Sequence, residues 1–126
     1  MVCLDSDILI NFFRKDKETV EKIELLKDKE VLFTTSINSF EILRGFSKID
    51  KTDAVNKFLL TLKILDFDFD ASQKAAELSE ILRKQGNPLD PMDLMIASIS
   101  IMNNQPLLTR NIKHFNRIPG LTIQEM

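Results

Sequence analysis

This sequence has one cysteine and one histidine in 126 residues. Cys3 has no second thiol for an internal disulfide, and its place in an apolar run makes it a small core residue rather than a reactive nucleophile. His114, standing alone, excludes the common zinc centres, which need several imidazoles or thiolates. A bound metal would therefore be a hard cation held by oxygen. Basic charge is not in excess either: 17 lysines and arginines against 19 acids give a net charge of −2. No global basic field announces a nucleic-acid binder, so a polyanionic substrate has to be held by a local patch or by bound cations. Apolar runs of about 18 residues or more are missing, so no membrane span is expected. Met1 leads straight into an apolar strand pattern with no room for a signal peptide, which predicts a cytoplasmic protein. There is no internal repeat, low-complexity segment or linker. With 29% charged and 44% hydrophobic residues, the chain reads as one domain over residues 1–126 with a real core.

What is present is a regular alternation of short apolar runs and helical patterns. Val2-Cys3-Leu4 reads as a buried strand, and the polar triplet Asp5-Ser6-Asp7 hands over to a short helix, Ile8 to Phe13. A turn at Lys15 to Lys17 precedes an amphipathic helix, Lys17 to Asp28, with Val20, Ile23 and Leu26 on one face. Val31 to Phe33 is a strand, and Thr34, Thr35 and Ser36 offer caps for a helix marked by Ile37, Phe40, Leu43 and Phe46 that ends near Gly45 to Lys48. Asp53 to Leu62 carries the clearest stripe, Val55, Phe58, Leu59 and Leu62, and should pair antiparallel with the helix before it. Ile64 to Phe67 is a strand. Asp68 to Asp70 opens a helix buried through Ala71, Ala75, Leu78 and Leu82, and Gly86-Asn87-Pro88 stops it. Pro91 to Met102 is apolar on most sides and reads as a deeply buried helix. Leu107 to Thr109 forms a strand, Ile112 to Phe115 one helical turn, and Leu121 to Ile123 an edge strand. The order β-α-α-β-α-α-β-α-α-β-α-β predicts an α/β fold, a three-layer α/β/α sandwich with a central, mostly parallel sheet of four or five short strands.

Three acids stand out because apolar neighbours or a strand end surround them: Asp5, Glu41 and Asp93. Carboxylates are rarely buried unless paired or bound to a metal, although each could separately serve a helix end. Ser6 and Asp7 have the same capping reading, and for Asp90 it ranks above a ligand role. Three acids at one sheet edge repel unless a cation sits among them or some are protonated. Clustered carboxylates without histidine or cysteine are a ligand set for Mg2+ or Mn2+. Phosphodiester hydrolysis is the chemistry that follows, with Ser6 or Thr109 as hydroxyls able to orient a water or a phosphate oxygen. Arg44, one turn beyond Glu41, and Arg110, beside Lys113 and Arg117, are the candidates for contact with substrate phosphates.

These residues resemble the PIN-domain ribonucleases, and in size and order the VapC-type toxins of prokaryotic toxin–antitoxin pairs. The likeness rests on Leu4-Asp5-Ser6-Asp7-Ile8-Leu9-Ile10, Ser39-Phe40-Glu41-Ile42-Leu43-Arg44-Gly45, Asp93-Leu94-Met95-Ile96-Ala97, and Leu108-Thr109-Arg110-Asn111 with Phe115 and Pro119-Gly120-Leu121. By resemblance Asp5, Glu41 and Asp93 are the metal-binding acids and Thr109 is the hydroxyl near the site. It also implies a PIN-like fold, an endoribonuclease dependent on Mg2+ or Mn2+, a homodimer, a VapB-type antitoxin partner, and a structured RNA substrate such as tRNA or rRNA, which makes the phosphates for Arg44 and Arg110 those of RNA. The sequence departs from the pattern at Asn111, a neutral residue where the family often has a fourth acid. Asp7 and Asp90 are the candidates to substitute for it. Two other readings compete: a haloacid-dehalogenase-like phosphatase, suggested by Asp5-Ser6-Asp7 but lacking a hydroxyl at Leu9, and a non-catalytic binding protein on the same fold.

Overall fold

β1 (Val2–Leu4) is buried along its whole length because it lies at the centre of a five-stranded sheet. The computed structural model describes residues 1–47 and 52–126. β1 is followed by α1 (Ser6–Phe13), α2 (Lys17–Lys29), β2 (Leu32–Thr35), α3 (Ser36–Phe46), α4 (Thr52–Leu60), β3 (Lys63–Leu65), α5 (Phe69–Lys84), α6 (Pro91–Met102), β4 (Leu107–Leu108), α7 (Ile112–Phe115) and β5 (Ile123–Gln124). The strands run β3-β2-β1-β4-β5, every neighbouring pair parallel. The expected order of elements and α/β class are therefore both present.

Side chains alternate across a strand, so each strand feeds two cores. Val2, Leu4, Leu32 and Leu108 pack with Ile8, Leu9, Ile23, Ile42, Val55 and Leu59 of the first four helices. Cys3, Phe33 and Leu107 face the other way, onto Leu78, Leu82, Leu94, Ile96, Ala97 and Phe115 of the last three. The register that pairs Cys3 with both Phe33 and Leu107 keeps each set on its own face. The resulting layers are helix, sheet, helix. Cys3 is a buried core residue, and desolvation pushes its thiol up to about 12.

Capping residues set most helix starts. Asp16, Thr35, Asp68 and Asp90 accept from the backbone N–H groups of Thr19, Asn38, Ala71 and Met92 respectively, and Pro91 occupies the first turn of α6. Gly86, with φ of 69°, turns the chain out of α5, its N–H reaching back to the Arg83 carbonyl. Some boundaries differ from expectation. α1 begins at Ser6 instead of Ile8, β2 runs on to Thr35, β3 stops at Leu65 instead of Phe67, tight turns from Thr61 N to Phe58 O and Leu62 N to Leu59 O end α4 at Leu60, and β5 begins at Ile123 instead of Leu121. α3 ends at Phe46, within the expected range, whose last residue, Lys48, lies outside the described residues. The face of α3 also differs. Asn38 and Ile42 point inward, while Phe40 is 53% exposed and Leu43 is exposed beside it.

Candidate active site

In a parallel sheet the strands' carboxyl ends open onto a crevice, and neighbouring loops deliver side chains into it. Here β1 leads into Asp5, β2 runs into α3, β4 leads into Thr109, and the first turn of α6 carries Asp93 to the same edge. An open cleft of about 480 Å³ at this edge is lined by Asp5, Ser6, Asp7, Ile10, Glu41, Asp93, Arg110 and Asn111. The three acids singled out in the sequence thus come from three separate elements and line one cleft.

Asp5 occupies the N-cap position of α1 without capping it. Its carboxylate is instead held by two buried donors: Asn38 Nδ2 lies 3.0 Å from Oδ1 and Thr109 Oγ1 2.7 Å from Oδ2. Both oxygens are fixed on the carboxylate of a residue only 6% exposed. Burial first, and the neighbouring Asp7 charge second, push the Asp5 carboxyl up to about 7 against these hydrogen bonds. Glu41, on α3, accepts a 2.7 Å hydrogen bond from Ser6 Oγ, and Ser6 accepts one of 2.8 Å from Asn38 Nδ2. The Asn38 side chain is anchored by Thr35 Oγ1, which donates to its Oδ1 at 2.7 Å.

Asn38 was not among the sequence candidates. Its signal lay in the Thr35-to-Asn38 cap spacing and in its position one turn before Ile42, a polar residue on the inward stripe of a helix.

The other candidates separate by position. Ser6 and Asp7 are not caps, since they are the first two residues of α1. Asp7 Oδ2 accepts the Arg110 N–H at 2.9 Å and Thr109 Oγ1 at 3.4 Å, while its Oδ1 is buried with no partner among the described residues. Burial raises its pKa as well. Asp90 caps α6 and is not among the residues lining the cleft. Asp93 is raised by burial and then by the Asp90 charge, with His114 opposing. Thr109 is fully buried and also accepts the Asn111 N–H at 3.0 Å. Arg44 lies over the Phe40 ring, 5.1 Å from its centroid, outside the cleft lining. Arg110 lines the cleft, but its guanidinium donates to Asp16 Oδ2 at 3.2 Å and Thr19 Oγ1 at 3.0 Å. Arg110 is thus held by hydrogen bonds within the protein, while Arg44 is exposed on the outer face of α3.

The donor set suits a hard cation. All the acids offer oxygen, two of them carry raised pKa values from burial beside like charge, and an orphaned carboxylate oxygen of Asp7 sits among them. Among the described residues, no three acidic, histidine or cysteine side chains already form a metal-holding group. A cation that keeps several waters needs only one or two carboxylates, so this arrangement fits such an ion.

The PIN domain family matches residues 2–121 of the chain. Ribonuclease VapC2 of Rickettsia felis is 32% identical over 126 residues, covering 96% of this chain and 94% of that one. The tRNA(fMet)-specific endonuclease VapC of Salmonella typhimurium is 30% identical over 95 residues, 72% of each chain. Among solved structures, VapBC2 from Rickettsia felis bound to a DNA fragment from its promoter superimposes with a TM-score of 0.87 at 30% identity, covering 100% of this chain and 99% of that one. The phosphatase reading falls with these matches. PIN-domain VapC nucleases depend in general on divalent metal, and this chain belongs to the PIN-domain family, as a VapC-type ribonuclease.

Proposed function

We propose that the cleft hydrolyses RNA phosphodiester bonds with Mg2+ or Mn2+ held by Asp5, Glu41 and Asp93, and that the chain is the toxin of a toxin–antitoxin pair. One observation carries this reading: acids 36 and more residues apart in sequence line a single cleft at the carboxyl edge of the sheet. A divalent ion held there would supply Lewis acidity toward a phosphoryl oxygen and would lower the pKa of water so that hydroxide is available near neutral pH. The chain's own residues do the positioning. Asn38 and Thr109 fix both Asp5 oxygens, Ser6 ties Glu41 to the start of α1, and the Arg110 N–H holds Asp7 toward the Thr109 loop. Asn111 presents a neutral amide at the cleft wall for phosphate oxygens, whereas the Ser6 hydroxyl proton is already given to Glu41.

Structured RNA, tRNA in particular, is the substrate class supported by the tRNA(fMet) specificity of the Salmonella relative. For a VapB-type antitoxin, an apolar groove of about 830 Å³ between α1, α2 and α4 is suited to an amphipathic segment. Phe12, Phe13, Val20, Val55 and Phe58 line it, with Lys15, Lys17, Glu21 and Glu24 at its margins. The exposed Phe40, Leu43, Leu60 and Ile64 support a homodimer. The cytoplasm, where an RNA substrate and a reduced Cys3 belong together, is the site of action. Among the described residues no helix is long and apolar enough to cross a membrane.

The test is cleavage of a structured RNA by purified protein with Mg2+ or Mn2+, and again with EDTA. Wild-type protein should cut only with metal, and Asp5→Asn should lose at least a hundredfold in rate while keeping its circular dichroism spectrum. Full activity in Asp5→Asn would sink the assignment. No Mn2+ binding by calorimetry, together with no cleavage, would favour the non-catalytic reading.

A further inference from the structure

The cleft is acidic, and the arginine that lines it is held by other side chains. Arg110 is tied to Asp16 and Thr19, with Glu18 at 3.9 Å, and Arg44 lies against Phe40. Arg117 donates to Asn87 Oδ1, to the Pro88 carbonyl and to the His114 carbonyl. A phosphate-bearing substrate still needs a hydrogen-bond donor at this edge. His114, the chain's only imidazole, is 56% exposed. Its Nδ1 lies 3.1 Å from Asn111 Nδ2 and 3.8 Å from Asp93 Oδ2, so it touches two residues of the cleft wall. With the Asn111 NH2 donating to it, Nδ1 is the acceptor, and in that tautomer the ring proton lies on Nε2. No hydrogen bond joins Nε2 to any described residue.

We propose that His114 is a substrate-contacting residue whose Nε2–H, set by Asn111, donates to a nonbridging oxygen of an RNA phosphate lying across the Asp93 side of the cleft. The inference rests on the RNA-cleaving reading of the same site. It explains the Asn111 position: a neutral amide there orients the ring as a donor, which a carboxylate accepting from Nδ1–H would not do.

Two substitutions separate the ring nitrogens. His114→Gln places an amide nitrogen near the position of Nε2, and His114→Asn places one near that of Nδ1. Steady-state cleavage of a tRNA with Mg2+ or Mn2+ gives kcat and KM. Fluorescence anisotropy of the same RNA, with each change placed in an Asp5→Asn background, gives binding alone. His114→Asn should raise KM and weaken binding about tenfold with kcat within about twofold, one hydrogen bond to a charged group being of that order. His114→Gln should recover most of the loss. An unchanged KM in His114→Asn, equal losses in both variants, or a fall confined to kcat would overturn the contact while leaving the nuclease reading standing. If wild-type protein and Asp5→Asn are equally inactive on every RNA, the nuclease reading fails, and the contact fails with it.

Discussion

Replacing Asp5 by asparagine should make the metal-free protein more stable at neutral pH even as it removes activity. The Asp5 carboxyl is 6% exposed, beside Asp7, and its pKa rises from 3.8 to about 7. The folded state thus binds this proton more tightly than the unfolded chain does. Between about pH 4 and about pH 7 the folded chain is protonated there and the unfolded chain is not, so stability falls as pH rises through that window. At about 1.4 kcal/mol per pH unit, holding the charge above pH 7 costs the fold about 4 kcal/mol. Asparagine removes the charge and keeps an acceptor for Asn38, but sets an NH2 against Thr109, whose hydroxyl now donates to Asp5 Oδ2 at 2.7 Å. One impaired buried hydrogen bond costs about 1–2 kcal/mol, leaving a net gain of about 2 kcal/mol. For a domain of this size that raises Tm by about 6–10 °C. Thermal melts of both proteins in EDTA at pH 8 and pH 4 measure it. The gain should be present at pH 8, vanish at pH 4, and narrow at pH 8 when Mg2+ or Mn2+ is added, because only the wild type then gains binding energy. An unchanged or lower Tm for Asp5→Asn at pH 8 in EDTA, or an equal gain at pH 4, would refute the claim that a buried charge strains this site.

Other perturbations test the positioning residues. Asn38→Ala strips donors from Asp5 and Ser6 and leaves Thr35 Oγ1 without its acceptor. It should cost about 2–4 kcal/mol in urea unfolding and lower cleavage about a hundredfold. Thr109→Val removes a hydrogen bond that favours the Asp5 carboxylate, so the acidic limb of the pH–rate profile should move to higher pH relative to wild type. Arg110→Ala deletes partly exposed ion pairs with Asp16 and Glu18, and stability should change by less than about 1 kcal/mol. Its effect on cleavage should not depend on RNA sequence, since the side chain anchors the loop. Phe58→Glu, in the apolar groove, should abolish binding of a cognate antitoxin peptide in calorimetry while RNA cleavage persists.

Local chemistry was enough for the element order, the parallel class and the three acids, because strand runs, caps and isolated carboxylates announce themselves within a few residues. What needed the structure was non-local. The inward face of α3 looked apolar through Phe40 and Leu43, yet the helix is turned to give Asn38 to Asp5, a partner 33 residues away. Asp7 looked like a cap, but its carboxylate meets the Arg110 N–H, 103 residues on. Arg110 looked like a free cation until Asp16 and Thr19 came beside it, and His114, noted only for excluding zinc, lies against Asp93. Ionic and hydrogen-bonded pairs of this kind have no periodicity to betray them.

The sheet order has a consequence for how the toxin is made. β1 leaves the ribosome before the other four strands yet sits in the middle of the sheet, and its second neighbour, β4, is synthesised about a hundred residues later. The Thr109–Asp5 hydrogen bond closes a loop of 104 residues. Contacts of such separation form late and slowly. A chain released between residues 93 and 107 carries Asp5, Glu41 and Asp93 but neither β4 nor the hydroxyl that seats the first acid, so such truncated products should be inert, and the cleft is assembled only after Thr109 has been made.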